Sequence, residues 1–182
     1  TGTLNPAIRD TAREYGFHYL GEMQDALADA NLQLCDRDNG DRPGHRLAEE
    51  LFAEFVHSAP QQLDPLSRRI CKMLRVHTQI EEELFYPAVG RALTNQDKAL
   101  LEDAKVEHEQ AKQAISRIES MTSENPAFRN EVDLLERRVT QHVAAEEHEL
   151  FPKVSAMGID LLALGVALAE RRDTLLDVLG LH

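Results

Sequence analysis

The sequence predicts an all-α fold: an antiparallel up-down four-helix bundle with an extra N-terminal helix and a C-terminal amphipathic helix. Three observations point there. Apolar residues recur at helical spacing through most of the chain. Glycine and proline collect in short stretches that punctuate it. No segment alternates apolar and polar residues as a half-buried strand would. Four long helices joined by short loops are the signature of a bundle.

Asn5-Pro6 opens a first helical segment that runs to about Leu34, and the Asp36–Gly44 stretch, rich in Asp, Asn, Gly and Pro, reads as a loop. A second helix spans roughly His45–Ser58, with Leu47, Ala48, Leu51, Phe52 and Phe55 on one face. Ala59-Pro60 ends it. Asp64-Pro65 is read as the N-cap and first turn of a third helix reaching about Leu93. Thr94, with Asp97 three residues later, is read as the N-cap of a fourth helix ending near Met121. Glu124-Asn125-Pro126 precedes a fifth, about Ala127–Ala156, and Gly158 and Asp160 separate it from a terminal amphipathic helix ending near Leu179. The expected organisation is an N-terminal helical extension over 1–42, the bundle over 43–156, and a C-terminal helix packed on it over 157–182.

Bulk properties narrow the function classes. At 182 residues the chain is one domain, or one domain plus an extension, and can bury most of its apolar surface. A formal charge of −12 argues against nucleic acid or an anionic membrane as partner and suits a cation ligand. No apolar stretch reaches the about 20 residues a membrane span needs. The N-terminus lacks the basic and apolar regions of a signal peptide. Cys35 and Cys71 are too few for a disulfide framework and read as inert thiols. A cytoplasmic protein, monomer or homodimer, is expected.

An internal duplication carries most of the information. His77-Thr78-Gln79-Ile80-Glu81-Glu82 reappears as His142-Val143-Ala144-Ala145-Glu146-Glu147, and each copy has proline ten residues after its histidine, Pro87 and Pro152. The copies lie 65 residues apart (77 to 142). His45 and His108, 63 residues apart (45 to 108), share apolar followers at offsets +3, +6, +7 and +10: Ala48, Leu51, Phe52 and Phe55, then Ala111, Ala114, Ile115 and Ile118. Two helical hairpins related by a pseudo-two-fold would bring the four histidines to one level of the core, which is how bundle metal sites are built.

Histidine and glutamate four apart share a helix face, so His77/Glu81 and His142/Glu146 each aim an imidazole and a carboxylate inward. Two bridging carboxylates and two imidazoles per metal would give each ion four protein ligands. Such mixed ligation with open positions suits redox-active non-haem iron, while closed sulfur-rich sites suit structural zinc. Glu82 and Glu147 point about 100° away from the ligand face and read as surface groups or as supports for the ligands. Leu84-Phe85-Tyr86 and Leu150-Phe151 read as core plugs beyond each glutamate, with the Tyr86 hydroxyl as an alternative donor to the site. His18, His57, His148 and His182 fall off the pattern and read as solvated or core-polar residues.

These residues resemble the hemerythrin-like family of HHE cation-binding domains, whose pattern is H…HxxxE…H…HxxxE. It is met here by His45, His77-x-x-x-Glu81, His108 and His142-x-x-x-Glu146, within roughly residues 43–156. The resemblance implies a four-helix bundle holding two non-haem iron ions with an oxo or hydroxo bridge, and a centre that binds O2 or meets NO or peroxide. Oxygen-carrying hemerythrins have a fifth histidine four residues after that of the third bundle helix, where this chain has Lys112. That departure shifts weight from pure oxygen carriage toward sensing, peroxide or NO reactivity, or iron handling, within an expected role in sensing, storage or the response to oxidative or nitrosative stress. The alternatives are a peroxide- or NO-consuming redox enzyme, or an iron donor resembling the repair-of-iron-centres proteins. Those proteins carry an N-terminal domain with adjacent cysteines, against the single Cys35 here.

Overall fold

Proline and the helical spacing of apolar residues set the elements in the computed structural model, which describes residues 44–179, with side chains from Ala48 onward except that of Leu162. The expected helix over 5–34 and its following loop lie outside the described residues, as do His18, Cys35 and His182. Every regular element among the described residues is helical. No helix among them is long and apolar enough to cross a membrane.

Helix α1 (Gly44–His57) buries Ala48, Leu51, Phe52 and Phe55, the face expected from their spacing. Helix α2 (Pro60–Ile80) begins earlier than expected, at Pro60 rather than near Asp64. Pro60 takes the first-turn position, where a missing N–H is no loss. Pro65 is carried inside the helix. Asp64 caps nothing on its own helix. Its carboxylate accepts from the backbone N–H and hydroxyl of Ser123 at 3.0 and 2.5 Å, tying the start of α2 to the loop before α5.

A π-helical turn, π1 (Glu81–Phe85), follows α2 without a break and leads into α3 (Tyr86–Gly90). Helix α4 (Lys98–Glu119) starts four residues after the expected cap. The Thr94 hydroxyl does accept from the Asp97 N–H and donates to the Asp97 carboxylate at 2.6 Å, but this pair closes a turn that precedes the helix. Helix α5 (Phe128–Ala145), a second π turn π2 (Glu146–Leu150) and α6 (Phe151–Ser155) repeat the pattern of α2, π1 and α3. Gly158, at φ 66° in the left-handed region that favours glycine, ends that run.

Each π turn ends two residues before a proline, Pro87 and Pro152. A proline inside an α-helix removes an N–H and drives its ring into the carbonyl four residues back. Widening the preceding turn by one residue relieves that clash. The spacing of the apolar residues carries no trace of this, and the sequence alone predicts an unbroken helix at both places.

Helix α4 packs along α5, α1 along α2, and α2 also along α4, around a core that includes Phe55, Ile70, Ile80, Ile115, Phe128 and Leu135. The terminal helix α7 (Leu161–Leu179) lies against α2 and π1. Arg171 on α7 pairs in a two-pronged fashion with Glu83 of π1, at 2.7 and 3.2 Å. Cys71 is 1% exposed, and burial, reinforced by Glu119, pushes its thiol up to about 12, as an inert cysteine requires.

Asp64→Ala is expected to lower unfolding stability by about 1–2 kcal/mol through the lost link to Ser123, read as a shifted urea midpoint at unchanged slope. Ser123→Ala keeps the backbone N–H bond and should cost less, and the double variant little more than Asp64→Ala alone. A fully additive double variant would show that the Ser123 hydroxyl bond to Asp64 contributes nothing.

Candidate metal centre

Three helices and a π turn converge on one carboxylate. Glu81, the first residue of π1, has no exposed surface. Its Oε2 lies 3.2 Å from His77 Nε2 on α2, 3.0 Å from His108 Nε2 on α4 and 3.8 Å from His142 Nε2 on α5. His108 Nε2 and His142 Nε2 face each other at 3.1 Å. One ligand atom from each of His77, Glu81, His108 and His142 can be chosen so that all lie within 4.8 Å of one another. Donors about 2.1 Å from one ion lie roughly 3.0–4.2 Å from each other, so the measured separations suit a shared cation.

The fifth predicted residue, Glu146, is 1% exposed and begins π2. Its Oε1 accepts from the Tyr86 hydroxyl at 3.1 Å, and its Oε2 stands 3.5 Å from His142 Nε2 with no hydrogen bond among the described residues. The sixth, His45, lies in the first turn of α1, and its side chain is outside the described residues. His57 and His148 are exposed, the latter against the Ala144 carbonyl, as their place off the pattern implies.

What orients the imidazoles was only partly legible. His108 Nδ1 meets Glu82 Oε1 at 3.1 Å, and Lys112 Nζ clamps the same carboxylate at 2.6 and 2.7 Å. His142 Nδ1 meets Glu107 Oε2 at 3.0 Å. With a metal bound, a carboxylate at Nδ1 would keep the proton there and leave the Nε2 lone pair for the ion, the usual support of a metal-bound histidine. Two imidazole nitrogens 3.1 Å apart need a proton or a cation between them, and His142, with its raised pKa, supplies a proton that a metal would replace. Glu82 was expected either at the surface or in such a supporting role, and it supports His108. Glu107 carried no signal in the sequence, because its partner is on another helix.

Tyr86 enters the site through the π turn. In a regular helix a residue five positions after Glu81 lies about 140° around the axis. Here the Tyr86 N–H bonds the Glu81 carbonyl, so the two residues stand one widened turn apart on the same face. The Tyr86 hydroxyl lies 3.3 Å from Glu81 Oε2 and 3.2 Å from His108 Nε2 as well as against Glu146. Burial first, then the two carboxylates, push its pKa well above the ordinary phenol value, so the hydroxyl keeps its proton. In the second copy the equivalent residue is Phe151, which packs edge-on against Phe85.

Charge in the cluster is unevenly divided. Burial works against ionised Glu81, but His77 and hydrogen bonds from His108 and His142 outweigh it and hold the carboxyl well below its usual range. Burial and the neighbouring Glu81 push Glu146 the other way, up to about 8. For His142, burial favours the neutral form, but Glu146 and Glu107 prevail and raise its pKa well above normal.

Comparison with known proteins places this cluster in context. The family model described as "Hemerythrin HHE cation binding domain" matches residues 20–154. A curated relative, "DNA nickase" from Nostoc sp. (strain PCC 7120), is 29% identical over 147 residues, covering 74% of this chain. The chain spans 41% of that protein's length. A solved structure, a "Hemerythrin HHE cation binding domain-containing protein" that is the Rv2633c homolog from Mycobacterium kansasii, superposes with a TM-score of 0.64 at 19% identity. The match covers 84% of this chain and 85% of the other, and shows the shared fold.

Glu82→Ala and Glu107→Ala are each expected to weaken metal affinity about 10- to 100-fold while leaving the helical circular dichroism intact; undiminished cobalt(II) affinity would show that neither carboxylate orients an imidazole. Affinity should also depend on pH. Glu146 and His142 both have raised pKa values and hold protons that a metal must displace, so affinity climbs as pH rises toward 8. The expected slope is about tenfold per pH unit for one displaced proton, measurable by cobalt(II) titration between pH 6 and 8, and a flat profile would contradict it.

Proposed function

The chain belongs to the hemerythrin HHE cation-binding domain family, and on that premise we propose that it holds two non-haem iron ions inside an antiparallel up-down four-helix bundle. The protein ligands in this reading are His45, His77, Glu81, His108, His142 and Glu146. One observation carries it: the His108 and His142 Nε2 atoms face each other at 3.1 Å beside Glu81 while each Nδ1 is held by a carboxylate. A polar, partly charged group is not buried at this density for packing alone, which supports a ligand role.

Bound iron would supply a site for O2, NO or peroxide and the capacity to exchange electrons with them. The chain's own residues bind, orient and seal. Glu82 and Glu107 set the imidazole tautomers, Tyr86 offers a retained hydroxyl proton to Glu146, and Phe85 and Phe151 close the core beside it. We assign the protein to binding such small species for sensing, storage or a response to oxidative or nitrosative stress, in the cytoplasm and without a nucleic-acid partner. The net charge of −12 opposes the phosphate contacts that nicking DNA would need.

A second reading, consumption of peroxide or NO at the same centre, is favoured by Lys112. That residue is committed to Glu82 and offers the centre no fifth imidazole. Repeated turnover of peroxide without loss of the centre would support consumption; a reversible charge-transfer band under O2 would support binding. Release of iron to an apo iron–sulfur acceptor would instead support donation.

Anaerobic reconstitution followed by elemental analysis tests the centre itself. About two irons per chain are expected. His142→Ala and His45→Ala should cut occupancy by half or more, while His148→Ala and His57→Ala leave it unchanged. Clearly fewer than two irons in the unaltered protein would sink the proposal.

A further inference from the structure

The predicted ligands among the described residues are at most 5% exposed, so an ion must cross a layer of protein to reach them. One cleft leads that way. It lies between α4 and the α5–π2 run, has a volume of about 470 Å³, and is lined by Asp103, Glu107, Gln110, Arg138, Glu149 and Glu146 among others. Glu146 belongs both to the cleft and to the buried cluster, and its Oε2 is buried with no hydrogen bond among the described residues. Asp103 and Glu149 are exposed, and Glu107 is half-buried against His142. The one cationic side chain in the lining, Arg138, is drawn toward α4 by donating to the Gln110 carbonyl at 2.6 Å.

Resting on the metal-centre reading above, we infer that this cleft is the path by which a divalent transition-metal ion enters: Asp103 and Glu149 receive it, and Glu146 passes it inward to His142. Size and charge both favour a cation. An ion with six waters, at about 30 Å³ per water, needs roughly 180 Å³, which the cleft holds and the packed cluster does not. Asp103, Glu107 and Glu149 against one guanidinium focus a negative field in a low-dielectric groove, which concentrates cations and raises their on-rate, while Glu146 gives up its proton as the ion arrives. The hydrated ion meets exposed carboxylates first and can exchange water for oxygen ligands stepwise before it reaches imidazole. Glu146 Oε2 is the first buried ligand on that line, 3.5 Å from His142 Nε2.

The test is the rate of cobalt(II) uptake by the metal-free full chain, followed by stopped-flow visible absorption, alongside metal content at equilibrium. Asp103→Asn with Glu149→Gln leaves every predicted ligand and both imidazole supports in place. It should slow uptake about tenfold and flatten its dependence on ionic strength, with unchanged final content. A control pair remote from the cleft, Glu54→Gln with Glu124→Gln, removes the same charge and should take up cobalt at the unaltered rate. Equal rates for the cleft variant and the unaltered protein would overturn the entry path while leaving the metal centre standing, as would a control pair slowed as much as the cleft pair. No uptake by the unaltered protein would overturn both.

Discussion

A carboxylate with no surface in water is the constraint on which the rest of the molecule depends. Taking an anion into the protein interior costs several kcal/mol unless partners compensate, and Glu81 finds its partners on three helices, α2, α4 and α5. Each must arrive in register. A shift of one residue along any of them turns its side chains by about 100° and removes the imidazole from the cluster. The jacket of Phe55, Ile80, Phe85, Ile115, Leu135 and Phe151 is therefore more than apolar filling. It fixes the helix phases that keep a buried negative charge tolerable, and it keeps water, the competing partner, away.

The two π turns are the local device that makes those phases compatible with the proline-ended helices. A regular helix through Pro87 and Pro152 would lose a hydrogen bond and strain the preceding turn. By widening the turn where Glu81 and Glu146 sit, the chain absorbs both prolines and keeps each glutamate one α-helical turn after its histidine. The same widening carries the fifth residue onward back to the glutamate's face. In the first copy that residue is a tyrosine and in the second a phenylalanine. One backbone feature thus delivers a hydroxyl to one half of the cluster and a plain ring to the other.

Much of this was legible in the sequence, and the rest was hidden for physical reasons. Helical periodicity exposes the buried faces of α1, α2, α4 and α5, because core packing selects residues by face. His-x-x-x-Glu, found twice, exposes four of the clustered or adjoining residues, since both members sit on one helix and their spacing is intrahelical. The supports of the imidazoles were harder to find. Glu107 reaches His142 across two helices, and no spacing within one helix encodes such a pair. Helix starts were misplaced where a plausible cap had other business. Asp64 turned out to hold Ser123, and Thr94 closed a turn of its own. A proline ten residues after each histidine was visible, but its consequence, a π turn that aims Tyr86, follows only from backbone sterics in three dimensions.

The duplication that reveals the cluster also shows where its halves part. His108 is backed by Glu82, whose charge is balanced by Lys112, and it has the Tyr86 hydroxyl 3.2 Å from its Nε2. At the positions equivalent to Lys112 and Tyr86 in the other copy stand Glu49, which is exposed, and Phe151. A carboxylate whose charge is neutralised pushes less electron density onto the imidazole it backs than an uncompensated one does. Glu107, which backs His142, has no lysine against it among the described residues and is of the second kind. Two cations held across such a cluster would meet unequal donors and unequal hydrogen-bonding neighbours. On the two-ion proposal, chemistry at a paired centre would gain from that inequality, since one position could bind a small ligand while the other tuned it. The lysine that takes the place of a fifth histidine therefore does more than leave a ligand out: it sets the charge behind the histidine that remains.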